Sequence, residues 1–334
     1  MFNTASLCGL TLYFIVLLDE LSTPRVDTST TTELLEKPWR KFSEWNSKTL
    51  DRLMESVQSY KPYEEMDIPE ARILMIGQVG AGKSSFYNTI GSIFKGRIYN
   101  KAASGSVMKS LTTMFRIYDV QQASSRYRMN FRLCDTKGLE QGEGFAGEEL
   151  SYLLNGNIPD RYQFNPIAPF SEEMPGFIHN PKLHEKMHCV VFVIDGSSVD
   201  VMPEKTLEKI KEIQSRIYQK GIGQVVLLTK IDKVCPHVSD DVSTVFHSSD
   251  LRDAVDKISQ IMGFPRSSIL PVKNYENEVM LDDNISILAL QALLQILNFA
   301  DDYISNLYDR MKSEQPQKYD SNTSEKMKHL NVKE

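Results

Sequence analysis

Gly77-Gln78-Val79-Gly80-Ala81-Gly82-Lys83-Ser84 is a glycine-rich loop that ends in a lysine and a hydroxyl. Residue types in this order make a phosphate site. Glycines let the backbone close around an anion with successive N–H groups pointing inward. The positive end of a following helix adds to that attraction. On this reading Gly77, Gly80, Ala81, Gly82, Lys83, Ser84 and Ser85 hold phosphates, with Lys83 reaching the terminal ones. Ser84 carries the hydroxyl that ligates Mg²⁺.

Three further stretches narrow the nucleotide. Asp135-Thr136-Lys137-Gly138 closes the apolar run Leu133-Cys134. Asp135 is placed to address Mg²⁺, and the Gly138 N–H to sense a γ-phosphate. Thr229-Lys230-Ile231-Asp232 follows Val225–Leu228 and has the N/T-K-x-D form. The Asp232 carboxylate can accept two hydrogen bonds from the ring N–H and exocyclic amine of guanine. Adenine lacks that donor pair, and a site left unpaired discriminates by roughly 10⁴. Lys230 packs its stem over the base, and Thr229 stands where Asn is commoner. Pro271-Val272-Lys273-Asn274 then offers a backbone N–H at or near Lys273 to the guanine carbonyl oxygen. Thr112 or Thr113 must close over the metal and γ-phosphate, and Thr112 is the preferred choice.

A γ-phosphate site that turns over needs a group to orient the attacking water, for which some signalling GTPases use a Gln directly after D-x-x-G. Leu139 stands there instead, and a leucine orients no water. No catalytic residue is assigned. Hydrolysis, if it occurs, is expected to be slow or to need a partner or a homodimer. Arg126, Arg132 and Arg161 are all candidates for an arginine supplied in trans. A dimer-activated GTPase and an ATP-binding P-loop protein are the alternatives. Asp232 disfavours the second.

These loops need strands behind them. Residues 71–76 precede the phosphate loop and 83–94 continue it as a helix. Residues 114–118 and 129–133 alternate apolar and polar, as in a half-buried hairpin whose turn spans 121–126. The continuous apolar runs at 188–194 and 225–228, with a weaker one at 268–272, suit strands buried on both faces. Helical spacing recurs near 203–219, 248–262 and 284–308. Alternation of this kind predicts an α/β P-loop NTPase fold with a mostly parallel sheet flanked by helices. Its ligand site lies beyond the carboxyl ends of the strands.

Residues 41–62, with Phe42, Trp45, Leu50, Leu53, Met54 and Val57 at threes and fours, predict a lead-in helix. Residues 1–40 are expected to be a poorly ordered extension and linker, 70–308 the nucleotide-binding domain with an insert at 139–187, and 313–334 a disordered tail. Within the insert, Glu148–Leu154 suggests a short helix. Asp160–Phe164 suggests either a contact surface or a lid packed on its own domain. The apolar run Leu7–Leu18 falls short of the roughly 20 residues that span a bilayer. It lacks the basic start of a signal peptide. An extension, an anchor or signal, and a docked strand all stay open for it. Membrane association is disfavoured elsewhere.

With 334 residues and 41% of them hydrophobic, the chain can bury a sizeable core. A net charge of −6 argues against a nucleic-acid partner. The four cysteines, at 8, 134, 189 and 235, have no pairing or metal spacing and fit free thiols in a reducing compartment.

The chain resembles the interferon-induced protein 44 family over about residues 38–308. The likeness lies in Ile76–Asn88, in the insert Leu153–Asn165, in His188–Val193 and in Phe299-Ala300-Asp301-Asp302. That resemblance implies a cytoplasmic, interferon-responsive protein of antiviral defence and the immune response, with GTP binding inferred. It does not imply turnover. The family's guanine-reading loop is not uniform, and here it is intact.

Overall fold

A computed structural model describes residues 33–102, 114–123, 127–139, 145, 148–165 and 167–314. Thr112, Thr113, Arg126, the run Leu7–Leu18 and the tail from 315 lie outside these. From Leu34 onward the chain forms one unit. Its strands are β1 (Ala71–Gly77), β2 (Arg116–Gln121), β3 (Arg128–Asp135), β4 (Cys189–Asp195), β5 (Gly223–Thr229) and β6 (Ile269–Pro271). They pair in the order β2-β3-β1-β4-β5-β6. The β2–β3 hairpin is antiparallel and every other pairing is parallel. This is the α/β P-loop NTPase arrangement expected from the alternation. β4 is buried along Cys189–Ile194, which explains its unbroken apolar run.

The helices are α1 (Ser47–Gln58), α2 (Lys83–Lys95), α3 (Glu149–Asn155), α4 (Glu204–Gln219), α5 (Pro236–Asp240), α6 (Ser249–Met262) and α7 (Asp283–Glu314). Helix α7 packs on β1, β4, β5 and β6 and also touches α1 and α2. Its inner side carries Ile285, Leu288, Leu293, Ile296, Leu297, Ala300 and Ile304. Among the described residues it alone is long and apolar enough to cross a membrane, yet 61% of its most apolar window is buried by the domain. It is a core helix.

The lead-in helix is shorter than the apolar spacing suggests. It starts at Ser47 because the Asn46 Oδ1 accepts the Thr49 N–H at 2.9 Å and caps the first turn. Phe42 and Trp45 lie before it and stack on each other at 4.6 Å, with Phe42 on Phe246 at 4.9 Å. The end of the expected linker is also docked. The Leu35 and Trp39 N–H groups donate to His247 O and Phe246 O at 2.7 and 2.9 Å. Three aromatic side chains and a strand-like bridge from Leu34 to Ser248 outweigh the polar composition of the stretch before them.

Candidate functional site

All parallel strands end at one edge of the sheet, and each sequence motif follows one of those ends. The phosphate loop begins at Gly77, where a Cβ would sit 2.1 Å from Val193 O, so only glycine fits. Gly80 and Gly82 have φ of 75° and 99°, the left-handed region that glycine enters without penalty. Gly82 is the N-cap of α2 and contributes no side-chain cap. Lys83, Ser84 and Ser85 form the first turn of α2, the end of a helix where backbone N–H groups can serve an anion.

Lys83 is only 5% exposed. Its Nζ donates to Gly77 O at 3.0 Å and to Gln78 O at 3.1 Å. Burial lowers its pKa and the nearby Asp135 opposes that. The Ser84 hydroxyl donates to Asp135 Oδ2 at 2.5 Å. Asp135 is fully buried, and desolvation raises its pKa against the pull of Lys83 and Ser84. Its Oδ1 is buried without a hydrogen-bond partner. A hydroxyl oxygen and a carboxylate with a spare oxygen, side by side, are hard donors of the kind Mg²⁺ takes. The residues present fit that ion.

Gly138 lies hard against the phosphate loop: a Cβ there would be 2.4 Å from Val79 Cγ2 and 2.7 Å from Val79 N. The next N–H, of Leu139, donates to Gly77 O at 3.0 Å. The Leu139 side chain is 2% exposed. D-x-x-G and the phosphate loop are thus physically joined. Lys137, between Asp135 and Gly138, reaches the other way. Its Nζ lies 3.8 Å from Glu149 Oε2 and 5.1 Å from the centre of the Phe164 ring. Glu149 is buried, and its Oε1 also accepts the Phe170 N–H at 3.1 Å.

Glu149 opens α3, so the insert holds the middle of the D-x-x-G stretch. The same insert runs beside β2, with Arg161 N donating to Phe115 O and Phe115 N to Tyr162 O, both at 2.8 Å. Leu150, Leu153, Leu154, Phe164 and Phe170 are buried. Of the two readings of this stretch, self-packing holds for its aromatic residues. Ile167 and Arg161 remain at the surface. Arg132 donates to Met129 O and Phe131 O and pairs with Glu70, which removes it from the candidates for an arginine acting in trans.

The Thr229–Asp232 loop joins the phosphate loop through Thr229. Its buried hydroxyl donates to Ala81 O at 2.6 Å, with Ile194 O at 3.1 Å. Lys230 has φ of 54°, left-handed for a non-glycine residue. Asp232 is half-buried. Desolvation raises its pKa, while Lys273 and Lys233 pull the other way. Lys273 pairs with Glu278 at 3.0 Å. Asn274 bridges inward, its Oδ1 accepting the Thr89 hydroxyl at 3.2 Å and its Nδ2 donating to Gly82 O at 3.4 Å.

Gly77, Gly80, Ala81, Gly82, Lys83, Ser84, Ser85, Asp135, Gly138, Thr229, Lys230, Asp232 and Lys273 thus lie on strand ends, loops and the first turn of α2 at one sheet edge. Thr112 falls outside the described residues. Two contributors escaped sequence reasoning. The amide of Asn274 braces the phosphate loop, and Asp195 ends β4 directly opposite Thr229. An aspartate closing an apolar strand is the one signal that could have marked Asp195. Among the described residues no cluster of three His, Cys, Asp or Glu side chains could hold a metal.

No family model matches the chain. It is 38% identical over 259 residues to the interferon-induced protein 44-like protein of Homo sapiens, covering 77% of this chain and 57% of that protein. Interferon-induced protein 44 of Homo sapiens matches at 34% over 256 residues, covering 76% of this chain and 57% of its own length. The Mus musculus protein matches at 32% over 255 residues, covering 76% and 60%. The chain therefore spans under two-thirds of the length of these curated relatives. A solved structure of a probable GTP-binding protein engB superposes over 68% of this chain and 99% of its own, at 13% identity and a TM-score of 0.36, too loosely to bear on the site. Carried by the sequence matches across three-quarters of its length, the chain belongs to the interferon-induced protein 44 family.

Proposed function

We propose that this chain is a guanine-nucleotide-binding switch or scaffold of the interferon response for which its relatives are named. It takes GTP or GDP together with Mg²⁺. The observation that carries the reading is the Thr229 hydroxyl on Ala81 O, which ties the guanine-reading loop to the phosphate loop in one unit. The phosphate loop and the α2 N-terminus bind the phosphates. Lys83 exchanges its two backbone acceptors for phosphate oxygens. Ser84 and Asp135 would hold the metal, which neutralises phosphate charge when bound. Asp232 reads the base edge, with Lys273 beside it, and the Gly138 N–H senses the γ-phosphate. Buried free thiols at Cys134, Cys189 and Cys235 support a reducing, cytoplasmic setting.

Titration of the full chain with GTP, GDP and ATP tests the base. GTP at 100 times its Kd is expected to stabilise the protein by about 2.7 kcal/mol. ATP at the same concentration leaves the melting temperature unchanged. Equal shifts with the two triphosphates would remove the guanine assignment.

Leu139 favours a second reading of the same site, in which hydrolysis awaits a protein partner or a second copy. A buried aliphatic side chain in contact with the phosphate loop orients no water. Phosphate release by dilute protein is expected below about 10⁻³ s⁻¹. Release that climbs with protein concentration would mark the dimer-activated enzyme.

A further inference from the structure

Asp195 is the last residue of β4, in register with Thr229 across the β4–β5 ladder. Its carboxylate has two distinct jobs. Oδ1 accepts the Ser197 N–H at 3.0 Å and the Ser197 hydroxyl at 2.6 Å, which fixes the side chain on the turn that follows β4. Oδ2 accepts the Lys230 ammonium at 2.6 Å. The next residue, Gly196, approaches the guanine-reading loop closely: a Cβ there would lie 2.8 Å from Thr229 O and 3.0 Å from Val234 Cγ2. Two loops that belong to different strands are pressed into one structure at this corner.

We propose that Asp195 is a positioning residue for base recognition: it anchors Lys230 so that the following Asp232 presents its carboxylate to guanine. This deepens the guanine reading and rests on it. Lys230 sits in the left-handed region, which strains a non-glycine residue and persists only where the surroundings over-determine it. Thr229 is fixed from one side by Ala81 O and Ile194 O. On the other side the ion pair to Asp195 fixes the Lys230 head. Both partners are largely shielded from solvent, with side chains 28% and 17% exposed, so salt screens the pair less than a surface one. Asp232 is held in the short turn Ile231–Lys233, whose N-cap is Lys230. A lysine released from Asp195 frees that cap, and the carboxylate behind it loses its aim. Among the described residues the hydrogen bonds and ion pair of Asp195 go to Ser197, Ser198 and Lys230 and not to the phosphate loop, so its influence is on the base and not on the phosphates.

The test is Asp195→Asn in the full chain, with GTP, ATP and inorganic tripolyphosphate titrated in the presence of Mg²⁺. The asparagine oxygen keeps the bond from Ser197, while the charge facing Lys230 is lost. GTP affinity is expected to fall about tenfold and the GTP-to-ATP preference by a similar factor, with tripolyphosphate affinity unchanged within twofold. Asp195→Glu is expected to recover part of the preference. A variant that prefers GTP as strongly as the wild type overturns the inference. So does an equal loss for GTP and tripolyphosphate, which would place the effect on the phosphate loop. A wild type that binds tripolyphosphate but prefers no base overturns the guanine reading and the inference with it. Should Asp195→Asn fail to fold, Lys230→Met removes the other half of the pair and must show the same selective loss; an unselective loss there overturns the inference as well.

Discussion

His188 is held as a neutral imidazole by the bonds at both of its nitrogens. Nδ1 accepts the Arg72 N–H at 2.9 Å. The proton is therefore on Nε2, which donates to Leu183 O at 3.0 Å. Burial is the main reason its pKa falls to about 4. In the unfolded chain it titrates near 6.5. Between these values the unfolded chain holds the proton and the folded one does not. The contribution is complete above about pH 6.5 and is lost as pH falls toward 4, at most about 3 kcal/mol. Urea midpoints taken from pH 7 to pH 4 should show this slope, and His188→Gln should flatten it.

Lys83→Ala tests the phosphate site at the same scale. Removing a charge-assisted contact to phosphate is expected to weaken GTP binding on the order of 100-fold, read by calorimetry. Residues of this kind were legible because chemistry fixes both type and spacing. Lys83, Ser84, Asp135 and Asp232 could be named from the chain alone. Asp195 and Asn274 could not. Their partners are backbone or side-chain atoms that become neighbours only when the strands align, and no local spacing encodes that.

At the scale of elements, the strands were legible because burial on both faces leaves long apolar runs, and the helices because their inner faces repeat. What the sequence hid was how the insert is fastened. Gly156 ends α3 with φ of 80°, and a Cβ there would lie 2.3 Å from Glu185 O. Gly156→Ala combines backbone strain with a clash against a carbonyl. It is expected to cost about 2 kcal/mol or more, measured by chemical denaturation. Helix α1 is shorter than its apolar spacing predicts for a simpler reason. Phe42 and Trp45 continue the apolar spacing of the helix, but they serve a separate cluster around Phe246. Periodicity counts apolar side chains without saying which surface each one meets.

At the scale of the whole molecule, α1 and α7 brace each other beside the sheet. The Tyr60 hydroxyl donates to Asp301 Oδ1 at 2.7 Å, so the stretch Phe299–Asp302, conspicuous in the sequence, serves as a brace and lies apart from the nucleotide loops. Leu53 is buried on α1. Leu53→Ala is expected to cost about 2–5 kcal/mol, seen as a lower urea midpoint, with GTP affinity unchanged.

Helix α7 also sets an order of events. It lies across β1, β4, β5 and β6, yet it is made after all of them. While the chain emerges from the ribosome, the surface those strands will bury under α7 has no cover. The nucleotide loops are complete by residue 274, before α7 begins at Asp283. A nascent chain halted between those points would carry every residue of the proposed nucleotide site on a sheet it cannot close. Such a product is a substrate for chaperones and proteases, not a shortened switch.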